Sequence, residues 1–99
     1  MSGLTKQLVD DFKTNDPNYG GVYLELTMTQ LFSVNNLDTL IQPNQCSNLN
    51  FAVNMLTKIE PIYLKCINLR ALDLSINHIS TINNLDNCIH LEDLNLSKN

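Results

Sequence analysis

Ninety-nine residues suffice for one domain, and a 43% apolar fraction beside 16% charged residues is enough for a packed core. The net charge of −4 argues against direct nucleic-acid binding, which needs clustered Lys and Arg. The opening MSGLTKQLVDDF has no apolar core of signal-peptide length, and no apolar run reaches the ~18 residues of a membrane span. The default is therefore a cytoplasmic or nuclear protein, off the membrane, with its three cysteines reduced.

The first predicted element is a short amphipathic helix. Leu4, Leu8 and Phe12 lie four apart, on one helical face, and Ser2 is placed to cap the start. Asp16-Pro17-Asn18 and Gly20-Gly21 then break the chain, so residues 1–21 read as a helical cap and turn.

From Val22 onward one pattern recurs. Leu24, Leu26, Thr29, Leu31, Val34 and Leu37 have the spacing of Leu49, Phe51, Asn54, Leu56, Ile59 and Ile62. Leu72, Leu74, Asn77, Ile79, Ile82 and Leu85 repeat it, and Leu94, Leu96 and Asn99 begin a fourth copy. The intervals from Leu24 to Leu49, Leu72 and Leu94 are 25, 23 and 22 residues. The extra residues fall around Gln42–Gln45 and around Tyr63 and Leu64.

Within each copy the period changes. Leu72 and Leu74 alternate, as in a short strand. From Ile79 through Ile82, Leu85, Cys88 and Leu91 to Leu94 the apolar interval is three, which suits 3₁₀-like or tightly coiled backbone rather than an α-helix. Each unit is thus a strand followed by a coiled return path. Such a unit buries its apolar edge only by stacking on neighbours. Asn77 stands where the strand ends, and its amide can bond turn groups in its own unit and the next. Thr29, with one hydroxyl, should bond its turn less well.

Leu69, Leu72, Leu74, Ser75 and Asn77 return as Leu91, Leu94, Leu96, Ser97 and Asn99 after 22 residues. This resembles the leucine-rich repeat, L-x-x-L-x-L-x-x-N, and within it the regulatory-subunit class. That class includes a protein phosphatase 1 regulator, a leucine-rich light chain of ciliary outer-arm dynein and a leucine-rich splicing-particle subunit. The resemblance covers residues 22–99, with Thr29 and Phe51 as departures. It implies an α/β leucine-rich repeat solenoid: an N-terminal helical cap, then about four short parallel strands near 22–26, 48–52, 71–75 and 93–97, with 3₁₀ or coil return paths. It also implies an intracellular protein that binds other proteins on its concave face, in a ciliary or cytoskeletal setting. Phosphatase regulation and a place in a ribonucleoprotein are the alternatives. The fourth copy has a strand and no return path or C-terminal cap. The expectation is a piece of a longer repeat protein, or a chain whose open edge is covered by a partner or a second copy.

No catalytic, cofactor or metal site is expected. Cys66 and Cys88 stand three residues before Leu69 and Leu91, Cys46 similarly before Leu49, and all three read as small core residues, without C-x₂₋₄-C spacing. His78 and His90 have no ligand partners in sequence and read as surface residues. There is no phosphate loop, no G-x-S-x-G and no convergent carboxylate pair, so the expectation is not an enzyme.

The residues flanking the core leucines remain. Tyr23, Glu25 and Thr27, then Asn48, Asn50 and Val53, Ala71, Asp73 and Ser75, and Asp93, Asn95 and Ser97 should face outward on the concave side. Tyr23, Glu25, Asn48, Asn50, Ala71, Asp73, Asp93 and Asn95 are the candidate partner-binding residues. Glu25, Asp73 and Asp93 favour a protein partner with a basic surface. Arg70 and Glu92 should pair between neighbouring units.

Overall fold

In the computed structural model, which describes residues 2–99, the N-terminal helix starts later than its apolar spacing suggests. Ser2 and Gly3 form a short strand, β1, and the helix α1 spans Lys6–Phe12. Thr5 is its cap: the Thr5 hydroxyl accepts from the Leu8 amide at 3.1 Å. The buried face is also different from the expected Leu4, Leu8 and Phe12. Val9 is fully buried, Leu8 is half-buried, and Phe12 is 47% exposed. Leu4 is buried, but from the segment before the helix.

After α1 the chain forms strand β2, Lys13–Asn15, which the sequence did not announce. It turns at Asp16–Gly21 and pairs antiparallel with β3, Val22–Glu25. Lys13, Thr14 and Asn15 are all exposed, so no alternation marks them as a strand; only backbone pairing does. The turn is tied by the buried Asp16. Its carboxylate accepts from the Asn18 amide at 2.9 Å and from the Ser47 hydroxyl at 2.7 Å. Burial alone would raise the Asp16 pKa, but the Ser47 hydroxyl and the Asn18 and Tyr19 amides hold it below the usual carboxylate value. Gly21 is required here: φ is +76°, and a Cβ would stand 2.6 Å from the Gln45 carbonyl oxygen.

Strand β4, Leu31–Ser33, pairs with β1 in a separate two-stranded sheet. The main sheet continues with β5 (Cys46–Asn50), β6 (Ala71–Asp73) and β7 (Asp93–Asn95). Its order is β2-β3-β5-β6-β7, and β3, β5, β6 and β7 are parallel, in sequence order. The domain is thus α/β, with one helix and a mostly parallel sheet. Leu24, Leu49, Leu72 and Leu94 stand in one register column. The edges of the strands differ from the expected spans: β5 begins earlier, at Cys46, and β6 and β7 end at Asp73 and Asn95. Three 3₁₀ helices, Leu37–Thr39, Pro43–Gln45 and Pro61–Lys65, lie on the first two connections. The third, after Asn77, has turns but no 3₁₀ helix.

The core is built from equivalent positions. Leu24, Leu49 and Leu72 are buried, as are Leu26, Phe51 and Leu74, Leu31, Leu56 and Ile79, and Val34 and Ile59. The reading of Ile82 as a core residue is corrected: it is 68% exposed, whereas its counterpart Ile59 is 1% exposed. Ile59 lies between two neighbouring units and Ile82 has one. Leu94 shows the same one-sidedness at 41% exposure. Strand β7 has β6 on one side and no strand on the other among the described residues.

That asymmetry predicts a gradient in amide exchange. Residues 91–97 should open far more readily than 69–76, because β7 pairs with β6 alone among the described residues whereas β6 is paired on both sides. Equal protection of the two segments at a concentration where the chain is monomeric would contradict this.

Strands β3, β5, β6 and β7 each lead into a left-handed residue. Met28, Val53, Ile76 and Lys98 have φ of 58°, 57°, 54° and 57°, and they recur at the same intervals as the leucines. The Met28 amide donates to the Val53 carbonyl at 3.0 Å, that of Val53 to Ser75 and that of Ile76 to Ser97, both also at 3.0 Å. These bonds carry the ladder past the strand ends. The conformation costs an L-residue roughly 1–2 kcal/mol, and a β-branched side chain is the least suited to it.

Candidate functional site

The outward face of the parallel sheet is set by register. Tyr23, Asn48, Ala71 and Asp93 form one column, and Glu25, Asn50, Asp73 and Asn95 the next. Val53 does not belong to the third column, where the ladder spacing places Ala52 between Thr27 and Ser75; Val53 is the left-handed turn residue that follows. Seven of the eight candidates, Glu25 excepted, line one shallow hollow of about 220 Å³ over β3, β5, β6 and β7. Glu25 borders it by accepting from the Tyr23 hydroxyl at 3.0 Å. Burial, then the Glu25 bond, raise the Tyr23 pKa, so the phenol stays a donor at neutral pH.

Three of these side chains have a second duty that the sequence reading missed. Asn50 Oδ1 accepts from the Ala52 amide at 3.1 Å, Asp73 Oδ1 from Ser75 at 2.9 Å, and Asn95 Oδ1 from Ser97 at 3.0 Å. Each closes an Asx turn at the end of its strand. The signal was present, since Asn or Asp recurs in this column in β5, β6 and β7. At Asp73 the second carboxylate oxygen takes no part in that bond. Asp73 and Asp93, with Glu25, make the face acidic, and Asn and Ala occupy the intervening positions.

Two further hollows flank this face. At the N-terminal ends of the strands, a space of about 580 Å³ is lined by amide side chains of Asn15, Asn44, Gln45 and Asn68 together with Tyr19, Arg70 and His90. Its guanidinium is engaged: Arg70 donates to Glu92 at 2.8 Å and lies 5.9 Å from the centre of the Tyr19 ring. At the C-terminal ends, about 330 Å³ is lined by Met28, Gln30, Val53, Asn54, Met55, Ile76, Asn77 and His78.

The cysteines lie in the core. Cys46, Cys66 and Cys88 are buried free thiols. Burial pushes the Cys46 thiol up to about 11 and, with added repulsion from Cys46 and Cys88, the Cys66 thiol to about 12, so neither is a thiolate at neutral pH. His78 and His90 are exposed. No cluster of three or more His, Cys, Asp or Glu side chains among the described residues is arranged to hold a metal. No helix among them is long and apolar enough to cross a membrane. Comparison of the chain with protein-family models, with curated proteins and with solved structures finds no match.

Proposed function

We propose that this chain is a leucine-rich repeat module that binds a protein partner on the outward face of its parallel sheet and performs no chemistry of its own. The observation that carries this is the hollow formed by Tyr23, Asn48, Asn50, Ala71, Asp73, Asp93 and Asn95, side chains drawn from four successive strands. In-register parallel strands at a 22–25-residue interval, the first three followed by the half-buried Thr29 and the buried Asn54 and Asn77 and the fourth by the exposed Asn99, support the solenoid reading. A rigid face with one aromatic side chain among short polar ones offers shape and charge rather than catalysis. Glu25, Asp73 and Asp93 select a basic partner surface, and the setting proposed is intracellular.

The experiment is capture of partners from lysate by wild type and by Glu25→Gln/Asp73→Asn/Asp93→Asn. Asn at position 73 keeps the acceptor of the Asx turn, so the fold should survive while three charges leave. Capture should fall by about tenfold or more, as for charged pairs at an interface. A control, Asp11→Asn/Asp86→Asn, removes charge away from the face and should capture normally. Equal capture by the face variant and wild type would overturn the assignment of this face.

A further inference from the structure

The left-handed residues that end the strands form a row on the surface. Met28 is 76% exposed, Val53 36% and Ile76 44%, and all three line the hollow at the C-terminal strand ends, with Met55 beside them. Nothing in the backbone asks for these residue types. A φ near +57° favours Asn or Gly, and Val and Ile are among the residues that suit it least. Burial does not ask for them either, since each keeps a large part of its surface in water. Strain of this kind, repeated at the same position in consecutive units, points to a use for the side chains outside the fold. Lys98 takes the fourth position and bounds the apolar stretch.

We propose that Met28, Val53 and Ile76 are the apolar half of the docking surface, and that its occupant is a basic amphipathic helix of a partner protein. This rests on the reading of the sheet face as a protein-binding surface. The charge of the occupant follows from complementarity: the sheet face beside the row carries Glu25, Asp73 and Asp93, and the chain as a whole is at −4. The helical form follows from spacing. Neighbouring strands stand about 4.8 Å apart, so the row offers an apolar contact about every 4.8 Å. A helix presents one side chain on a given face about every 5.4 Å, whereas an extended strand does so only about every 6.7 Å. Three positions therefore match apolar residues at i, i+4 and i+7 of a helix lying across the strands, with Lys or Arg on the flank toward the acidic columns.

The test uses three labelled helical peptides and the full chain. The first has leucines at i, i+4 and i+7 and lysines on one flank; the second replaces the lysines by glutamates; the third replaces the leucines by glutamines. Anisotropy titrations should show the first binding about tenfold or more tighter than either of the others. Amide shifts should move at Met28, Val53 and Ile76 as well as on the sheet face.

Val53→Asn/Ile76→Asn is the decisive variant. Asn accepts the left-handed turn, so thermal stability should be equal to wild type or higher, while binding of the first peptide weakens about tenfold. Unchanged binding by this variant, with loss in Glu25→Gln/Asp73→Asn/Asp93→Asn, would overturn the row and leave the sheet face standing. Unchanged binding in both would overturn both. A lower melting temperature in Val53→Asn/Ile76→Asn, with binding recovered on cooling, would assign these side chains to the fold and overturn the proposal. Self-association of wild type that the same variant abolishes, with no binding of any peptide, would make the occupant a second copy and overturn it too.

Discussion

Phe51→Ala should destabilise the domain by about 3–5 kcal/mol, the range for removing a buried aromatic ring. Phe51 stands in the second core column, between Leu26 and Leu74, and is fully buried. Its amide donates to the Asp73 carbonyl at 2.9 Å, and its own carbonyl accepts from the side-chain amides of both Asn54 and Asn77, at 2.9 and 3.1 Å. The backbone is therefore pinned on both sides and cannot collapse into the space the ring leaves, which puts the cost toward the upper end. Domains of this size have total stabilities of about 5–15 kcal/mol, so a large part would be lost. Leu94→Ala is the matched comparison. Leu94 is 41% exposed, and less area returns to water when it is cut back. Guanidinium midpoints should rank wild type first, Leu94→Ala close behind and Phe51→Ala far below. A small effect at Phe51 would mean that the second unit is not in the core as described.

The stacked strands were legible because a side chain buried from both sides has few alternatives. Leu24, Leu49 and Leu72 had to be large and apolar, and so the interval survived in the sequence even as the connections varied in length. The same logic explains the failure at Ile82. Its residue type fits the pattern, but pattern reports residue type and not the neighbour that would cover it. Strand β2 was invisible for a different reason: a strand held by backbone bonds alone, with Lys13, Thr14 and Asn15 exposed, imposes no periodicity. Phe12 misled because α1 is only seven residues long and packs through Val9, leaving the last turn outside the core.

The candidate face was legible as columns, since alternation along a strand fixes which side chains point out. The turn that follows was not. Counting by two from Asn48 and Asn50 reaches Ala52, and Val53 lies one residue further on, where the backbone becomes left-handed at φ 57° and alternation stops. The Asx turns at Asn50, Asp73 and Asn95 were likewise hidden by treating the whole column as free for binding. Both matter for experiment. An alanine scan of the face would mix lost turns with lost contacts, which is why Asp73→Asn is preferred to Asp73→Ala.

Asn54→Ala should cost on the order of 2–4 kcal/mol, more than the same change at Asn77 or at Asn99, because several buried groups lose their partner at once. Asn54 Oδ1 accepts from the Leu31 amide at 2.9 Å and from the Thr29 amide at 3.2 Å, both in the preceding unit. Its Nδ2 donates to the carbonyls of Leu26 at 2.8 Å, Phe51 at 2.9 Å and Ala52 at 3.1 Å. One side chain thus ties the turn of its own unit to the turn before it, and Leu31 is fully buried, so water cannot replace the lost acceptor. Asn77 repeats the arrangement with one backbone amide instead of two, that of Leu56 at 3.0 Å. Asn99 repeats it again, accepting from Ile79 at 3.0 Å, but it is exposed, and water can take its place. Thr29→Ala should cost less than Asn77→Ala, since a single hydroxyl, bonded to the Leu26 carbonyl at 3.1 Å, does the work of an amide. Denaturant midpoints should therefore fall in the order Asn99→Ala, Asn77→Ala, Asn54→Ala. If Asn99→Ala were the most damaging of the three, burial would not be what gives these bonds their weight, and the connections between units would have to be held by the strands alone.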